Sequence, residues 1–140
     1  MTKLLSIIAI SLACVIMACT DDSYTGYVES ALKSGVPGYE KYDTVFIITR
    51  RGCNSCTNQA DRIFKSRGNN KQNLFIFTNL ESEKRLRIEL GRERLEQDNV
   101  LIDTDKRFWS NKFTEAQYPT ALIRNDKGQY EFKYMLDILY

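Results

Sequence analysis

Two runs, TVFIIT (Thr44–Thr49) and NLFIFT (Asn73–Thr78), constrain this chain more than any other feature. Both are rich in β-formers and apolar on both faces, whereas a strand with one wet face alternates apolar and polar residues. Each therefore belongs inside a sheet that is covered from both sides. Between them, Cys56, Ala60, Ile63 and Phe64 share one face of a helical stretch that ends near Gly68. Ahead of the first run, Tyr24, Tyr27, Val28, Ala31 and Leu32 repeat at helical spacing until Gly35 and Pro37 stop them. The order helix, strand, helix, strand predicts an α/β domain with right-handed crossovers and parallel pairing of the two strands.

Further along, ESEKRLRIELGRERLEQ carries two patterns. Leu86 and Leu90 suit a helix, while Leu86, Ile88 and Leu90 alternate as a strand would. The density of Glu, Lys and Arg, with Gly91 as a stop, favours helix. NVLI (Asn99–Ile102) predicts a short strand and Asp103–Gln117 a helical return. TALIR, the turn NDKG (Asn125–Gly128) and QYEFKY then make a hairpin. Internal repeats and low-complexity runs are absent from the sequence.

The chain has no histidine, which removes His-based triads, His general bases and most zinc or copper sites. Chemistry, if present, runs on cysteine, carboxylate, tyrosine or lysine. At the amino terminus Lys3 precedes an apolar run, Leu4–Ala18, broken only by Ser6 and Ser11. That run falls short of the roughly 20 residues a spanning helix needs and predicts an export signal. Ile16-Met17-Ala18-Cys19 resembles a bacterial lipobox, which implies that Cys19 is acylated and becomes the first residue of the mature chain. Residues 1–18 would then be the signal, carrying Cys14 away, 19–23 a tether, and 24–140 the folded domain. Asp21 and Asp22 fit either a solvated linker or an acidic tether of the kind that sends lipoproteins to the outer surface. The implied location is the bacterial cell envelope, lipid-anchored, at the periplasmic face or on the outer surface of the outer membrane. Without Lys3, 19 of the 20 basic side chains face 18 acidic ones, so no basic stripe invites nucleic acid.

Cys53 and Cys56 remain. Cys53-x-x-Cys56 directly after a buried strand, and YPTALI about sixty residues later leading into a hairpin, resemble the thioredoxin-like superfamily. The extra strand and helix between the second buried strand and YPT are similar to the membrane-tethered, TlpA-like thiol-disulfide oxidoreductases. The resemblance covers roughly Tyr24 to Tyr134. It implies a central mixed sheet flanked by helices, with a C-terminal hairpin and then a terminal helix; here the sequence departs from the pattern, because Leu136–Tyr140 supplies at most a turn, so little or no terminal helix is expected. It also implies thiol-disulfide exchange with exported client proteins, a redox donor or acceptor in the membrane, and no cofactor or metal. From it, Pro119 is expected to be cis and to pack on the cysteine pair. Tyr118, Pro119 and Thr120 would form the client groove, the Tyr118 backbone pairing with an extended client segment.

The residues themselves support part of this. A cysteine at the start of a helix meets unpaired N–H groups and the positive end of the helix dipole, which favour thiolate, so Cys53 is the expected nucleophile. Cys56 lies three positions on, over the same face, and can resolve a mixed disulfide. Arg50 and Arg51 either add positive potential or are solvated. The sequence departs from the soluble thioredoxins at Arg50-Arg51-Gly52, where they carry a tryptophan. TVFIIT lacks their buried acid, and Asn54-Ser55 lacks their proline or histidine. A binding or scaffold lipoprotein in which Cys53–Cys56 is an inert clip is the rival reading, although a clip closing so short a loop removes little chain entropy. Asp103, Asp105 and Asp126 have no metal-loop spacing and read as solvated turn residues. Trp109 with Phe108 and Phe113 fits either the lining of a partner groove or core packing, core being the default, and two thiolates alone make an incomplete zinc site.

Overall fold

The computed structural model describes residues 22–138. Cys14, Cys19 and the signal segment lie outside the described residues. Helix α1 (Tyr24–Gly35) starts at Ser23, whose hydroxyl oxygen accepts the Gly26 N–H at 3.1 Å. Strand β1 (Thr44–Thr49), helix α2 (Asn54–Arg67) and strand β2 (Asn73–Thr78) follow. Next come α3 (Glu83–Leu90), a single turn α4 (Arg92–Leu95) and the short strand β3 (Val100–Ile102). The hairpin β4 (Thr120–Arg124) and β5 (Tyr130–Tyr134) leads into a 3-10 turn, Met135–Ile138.

The five strands form one sheet in the order β3-β2-β1-β4-β5. β1 and β2 run parallel, as do β2 and β3, whereas β4 is antiparallel to both β1 and β5. This is a mixed sheet flanked by helices, the α/β architecture of a thioredoxin-like fold. Among the described residues no helix is long and apolar enough to cross a membrane.

Alternation along β1 and β2 explains why both runs are apolar throughout. Val45, Ile47, Leu74 and Ile76 pack toward Tyr24, Val28 and Leu32 of α1. Phe46, Ile48, Phe75 and Phe77 pack on the other face with Ala60, Ile63 and Phe64 of α2 and Leu86 and Leu90 of α3. The register pairs Phe46 with Phe75, whose rings stack at 4.8 Å, and Phe64 meets Phe75 edge-on at 5.0 Å. A slip by one residue would exchange the two faces, so the side-chain sizes select the register. Phe75→Ala should cost about 3–5 kcal/mol, because it opens a cavity between two rings that cannot both close it. A fall in the urea midpoint at unchanged slope checks this.

In the charged middle segment the helical pattern prevails: Leu86 and Leu90 are buried, and Ile88 is 75% exposed. The helical return expected over Asp103–Gln117 is absent. Only Glu115–Gln117 makes a 3-10 turn. Asp103 is the reason, since its carboxylate accepts the backbone N–H groups of Arg107 at 3.0 Å and Phe108 at 2.9 Å, winding the chain into turns. It also accepts the Thr78 hydroxyl at 2.7 Å. Acceptors of this kind compete with the helix for local N–H groups. Asp103 is thus buried and bonded rather than solvated, while Asp105 and Asp126 are exposed. Phe108 is buried, and Trp109 and Phe113 pack half-buried at the edge of the α1-side core.

Candidate functional site

The loop from β1 to α2 carries the cysteines to the end of the sheet. Gly52 makes the approach possible. Its φ is +136°, and a Cβ there would lie 2.8 Å from the carbonyl oxygen of Gln117. A glycine is therefore required for the cysteine loop to lie against the segment that precedes Pro119. Nothing in the local pattern of RRGC announces this contact, because Gln117 is distant in sequence.

Cys53 is the N-cap of α2, one position ahead of the first turn, in extended conformation. It is joined to Cys56 by a disulfide with a Cα–Cα distance of 5.2 Å. The Cys53 Sγ accepts the Cys56 N–H at 3.3 Å and lies 3.1 Å from the Ser55 hydroxyl. A disulfide sulfur carries no hydrogen, so Ser55 is the donor in that contact. The first turn holds no acidic side chain. The two sulfurs differ in access: Cys53 is half-buried, and Cys56 is 7% exposed.

Arg50 is engaged by two carboxylates. Its guanidinium is buried and bridges Asp61 of α2 through Nη1 and Glu89 of α3 through Nη2, the latter at 2.7 Å. Burial holds the Asp61 carboxyl above the ordinary carboxylate range even though Arg50 pulls it down. Glu89 is held below that range, chiefly by the hydrogen bond from Arg85. These groups line a polar groove of about 720 Å³ that also takes in Asn54, Thr57 and Asn58 of the cysteine helix. Arg51 is exposed.

A second groove, about 250 Å³ and largely apolar, opens beside Cys56 and is lined by Tyr118, Pro119, Tyr134, Leu136 and Asp137. Here the structure corrects three expectations. The described residues contain no cis peptide bond, so Pro119 is trans. Tyr118 is extended (φ −122°, ψ 153°) and feeds directly into β4, where Thr120 pairs with Ile47 and Tyr134. Pro119 stands just ahead of the strand, where its missing N–H costs no ladder bond. Second, the Tyr118 N–H is already donated to Glu115 at 3.1 Å and is not available to a client strand. Third, Thr120 turns away from the groove, and its hydroxyl shares a 3.1 Å hydrogen bond with Tyr24 on the α1 side. Burial pushes that Tyr24 phenol up to about 12. What remains is proximity: Pro119 and the 42% exposed Tyr118 form one wall of the groove and Tyr134 another, the two tyrosine rings meeting edge-on at 6.0 Å.

No protein-family model, curated protein or solved structure matches this chain. Fold and site together define an α/β domain, its five-stranded mixed sheet consistent with a thioredoxin-like fold, with a Cys-x-x-Cys disulfide at the start of a helix.

Proposed function

We propose that this chain is an exported, lipid-anchored member of the TlpA-like thiol-disulfide oxidoreductases, exchanging thiols and disulfides with other proteins of the bacterial cell envelope. One observation carries the reading: two donors converge on the sulfur of Cys53, the more accessible cysteine, while its partner is buried beneath an apolar groove. In the reducing direction the Cys53 thiolate attacks a client disulfide, forming a mixed disulfide and releasing one client thiolate. Cys56 then loses its proton and attacks the Cys53 sulfur, re-forming Cys53–Cys56 and releasing the second client thiolate. Two electrons have passed to the client, and a membrane dithiol of the same class restores the pair. The same steps run backwards oxidise a client dithiol.

The scaffold reading draws on a specific observation as well. With Pro119 trans and the Tyr118 N–H engaged, strand-like pairing of a client is unsupported at that edge. Equilibration with redox buffers separates the two. An exchanging pair is reduced at potentials above about −300 mV, whereas structural disulfides resist reduction until below that value. A pair that stays oxidised throughout the glutathione range supports the clip.

Anchoring is tested on its own. Cys19→Ser should abolish lipid labelling and detergent partitioning of the chain, and unchanged labelling in that variant would exclude a lipobox.

A further inference from the structure

We propose that the Ser55 hydroxyl is a catalytic hydrogen-bond donor to Cys53 that makes this pair more oxidising; the inference rests on the redox reading above. Ser55 Oγ stands 3.1 Å from Cys53 Sγ, and the Cys56 N–H reaches the same sulfur from 3.3 Å. In the disulfide both donors meet a neutral sulfur, which is a weak acceptor. On reduction that sulfur becomes a thiolate, and a hydrogen bond to an ionised group is roughly twice as strong as a neutral one. Ser55 thus stabilises the reduced state more than the oxidised state. The backbone N–H is supplied whatever residue stands at position 55, so the hydroxyl is the part of this cradle that the side chain determines. The neighbouring Asn54 lines the polar groove. Arg50 is held by Asp61 and Glu89.

No external co-reactant enters this role. The hydroxyl keeps its proton, and the electron pair on Cys53 is the one delivered by whichever thiol reduces the disulfide. Ser55 is exposed in the first turn of α2, so its replacement leaves the core untouched.

The experiment compares the whole protein with its Ser55→Ala and Ser55→Thr variants, following the rate of iodoacetamide alkylation of the reduced pair against pH and the equilibrium with glutathione. Ser55→Ala should move the alkylation midpoint of Cys53 up by about one pH unit, a tenfold loss of thiolate below the midpoint. It should also shift the glutathione equilibrium about tenfold toward the disulfide, or about 30 mV more reducing. Ser55→Thr, which keeps the hydroxyl, should restore most of both. An alanine variant with the midpoint and potential of the native protein overturns the proposal, as does a threonine variant as impaired as alanine. A native Cys53 that titrates as an ordinary thiol overturns it too. Client trapping is read separately: clients trapped with a silent Ser55→Ala remove only the serine's role, whereas a shifted midpoint without clients removes only the exchange function.

Discussion

Cys56→Ser should accumulate mixed disulfides between Cys53 and envelope proteins, and Cys53→Ser should trap none. The asymmetry follows from access and charge together. Cys53 is the N-cap, half-buried, with Sγ accepting from the Cys56 N–H and from Ser55, so under the proposed function it is the sulfur that ionises and meets a client. Cys56 is 7% exposed and can reach only a sulfur already brought to its side. Free cysteine titrates near pH 8.5, and helix-start cysteines fall to between about 3.5 and 7.5. In the reduced protein Cys53 should therefore be alkylated one to several pH units below an ordinary thiol, with Cys56 slow across the range. The measurement is peptide-resolved alkylation at graded pH, followed by affinity capture of each Ser variant under non-reducing conditions. Equal and sluggish alkylation of both cysteines, with nothing captured by either variant, would leave the disulfide as a clip.

How much of this was legible in the sequence varies from one element to the next. TVFIIT and NLFIFT are apolar on both faces because each lies between two helical layers, and that pattern located β1 and β2 to the residue. The spacing of Cys56, Ala60, Ile63 and Phe64 likewise marked the buried face of α2. Helix was the wrong expectation for Asp103–Gln117, because Asp103 offers its carboxylate to Arg107, Phe108 and Thr78, and the last of these is reached only through the sheet. The isomer at Pro119 was beyond reach, since cis and trans X-Pro bonds differ by only about 0.5–1 kcal/mol before tertiary contacts decide. Gly52 and Ser55 stood in plain view without a readable purpose. The first matters because of Gln117 and the second because of where the Cys53 sulfur turns.

The sequence also concealed Arg50, whose partner Glu89 is 39 residues away. Arg50 has 9% of its side chain exposed and Asp61 15%, so removing the cation leaves a carboxylate in a site that already disfavours its charge. Breaking such a pair from one side costs about 3–5 kcal/mol when both groups are fully buried, and the partial access of Asp61 and Glu89 places Arg50→Met near the lower end. The pH dependence has a definite sign. Asp61 titrates above its ordinary 3.8 because burial penalises the anion. Its contribution is thus most favourable below that value and is lost as pH rises through the raised one. Without Arg50 the Asp61 carboxyl rises further, and the loss widens toward neutral pH. Glu89 acts oppositely: held low, chiefly by Arg85, it stabilises above its ordinary 4.5 and loses that contribution on acidification. Since Arg85 remains in the variant, Glu89 keeps its main partner. Arg50→Met should therefore be destabilised most at neutral pH and should recover part of the loss toward pH 4, as Asp61 takes up a proton. Adding Asp61→Asn should return much of the stability at neutral pH, because it removes the stranded charge. Urea unfolding of the single and double variants at neutral and acidic pH makes the measurement. A single variant whose deficit is the same at both, or a double variant no better than the single, would show that Arg50 acts through packing of its stem and not through its charge.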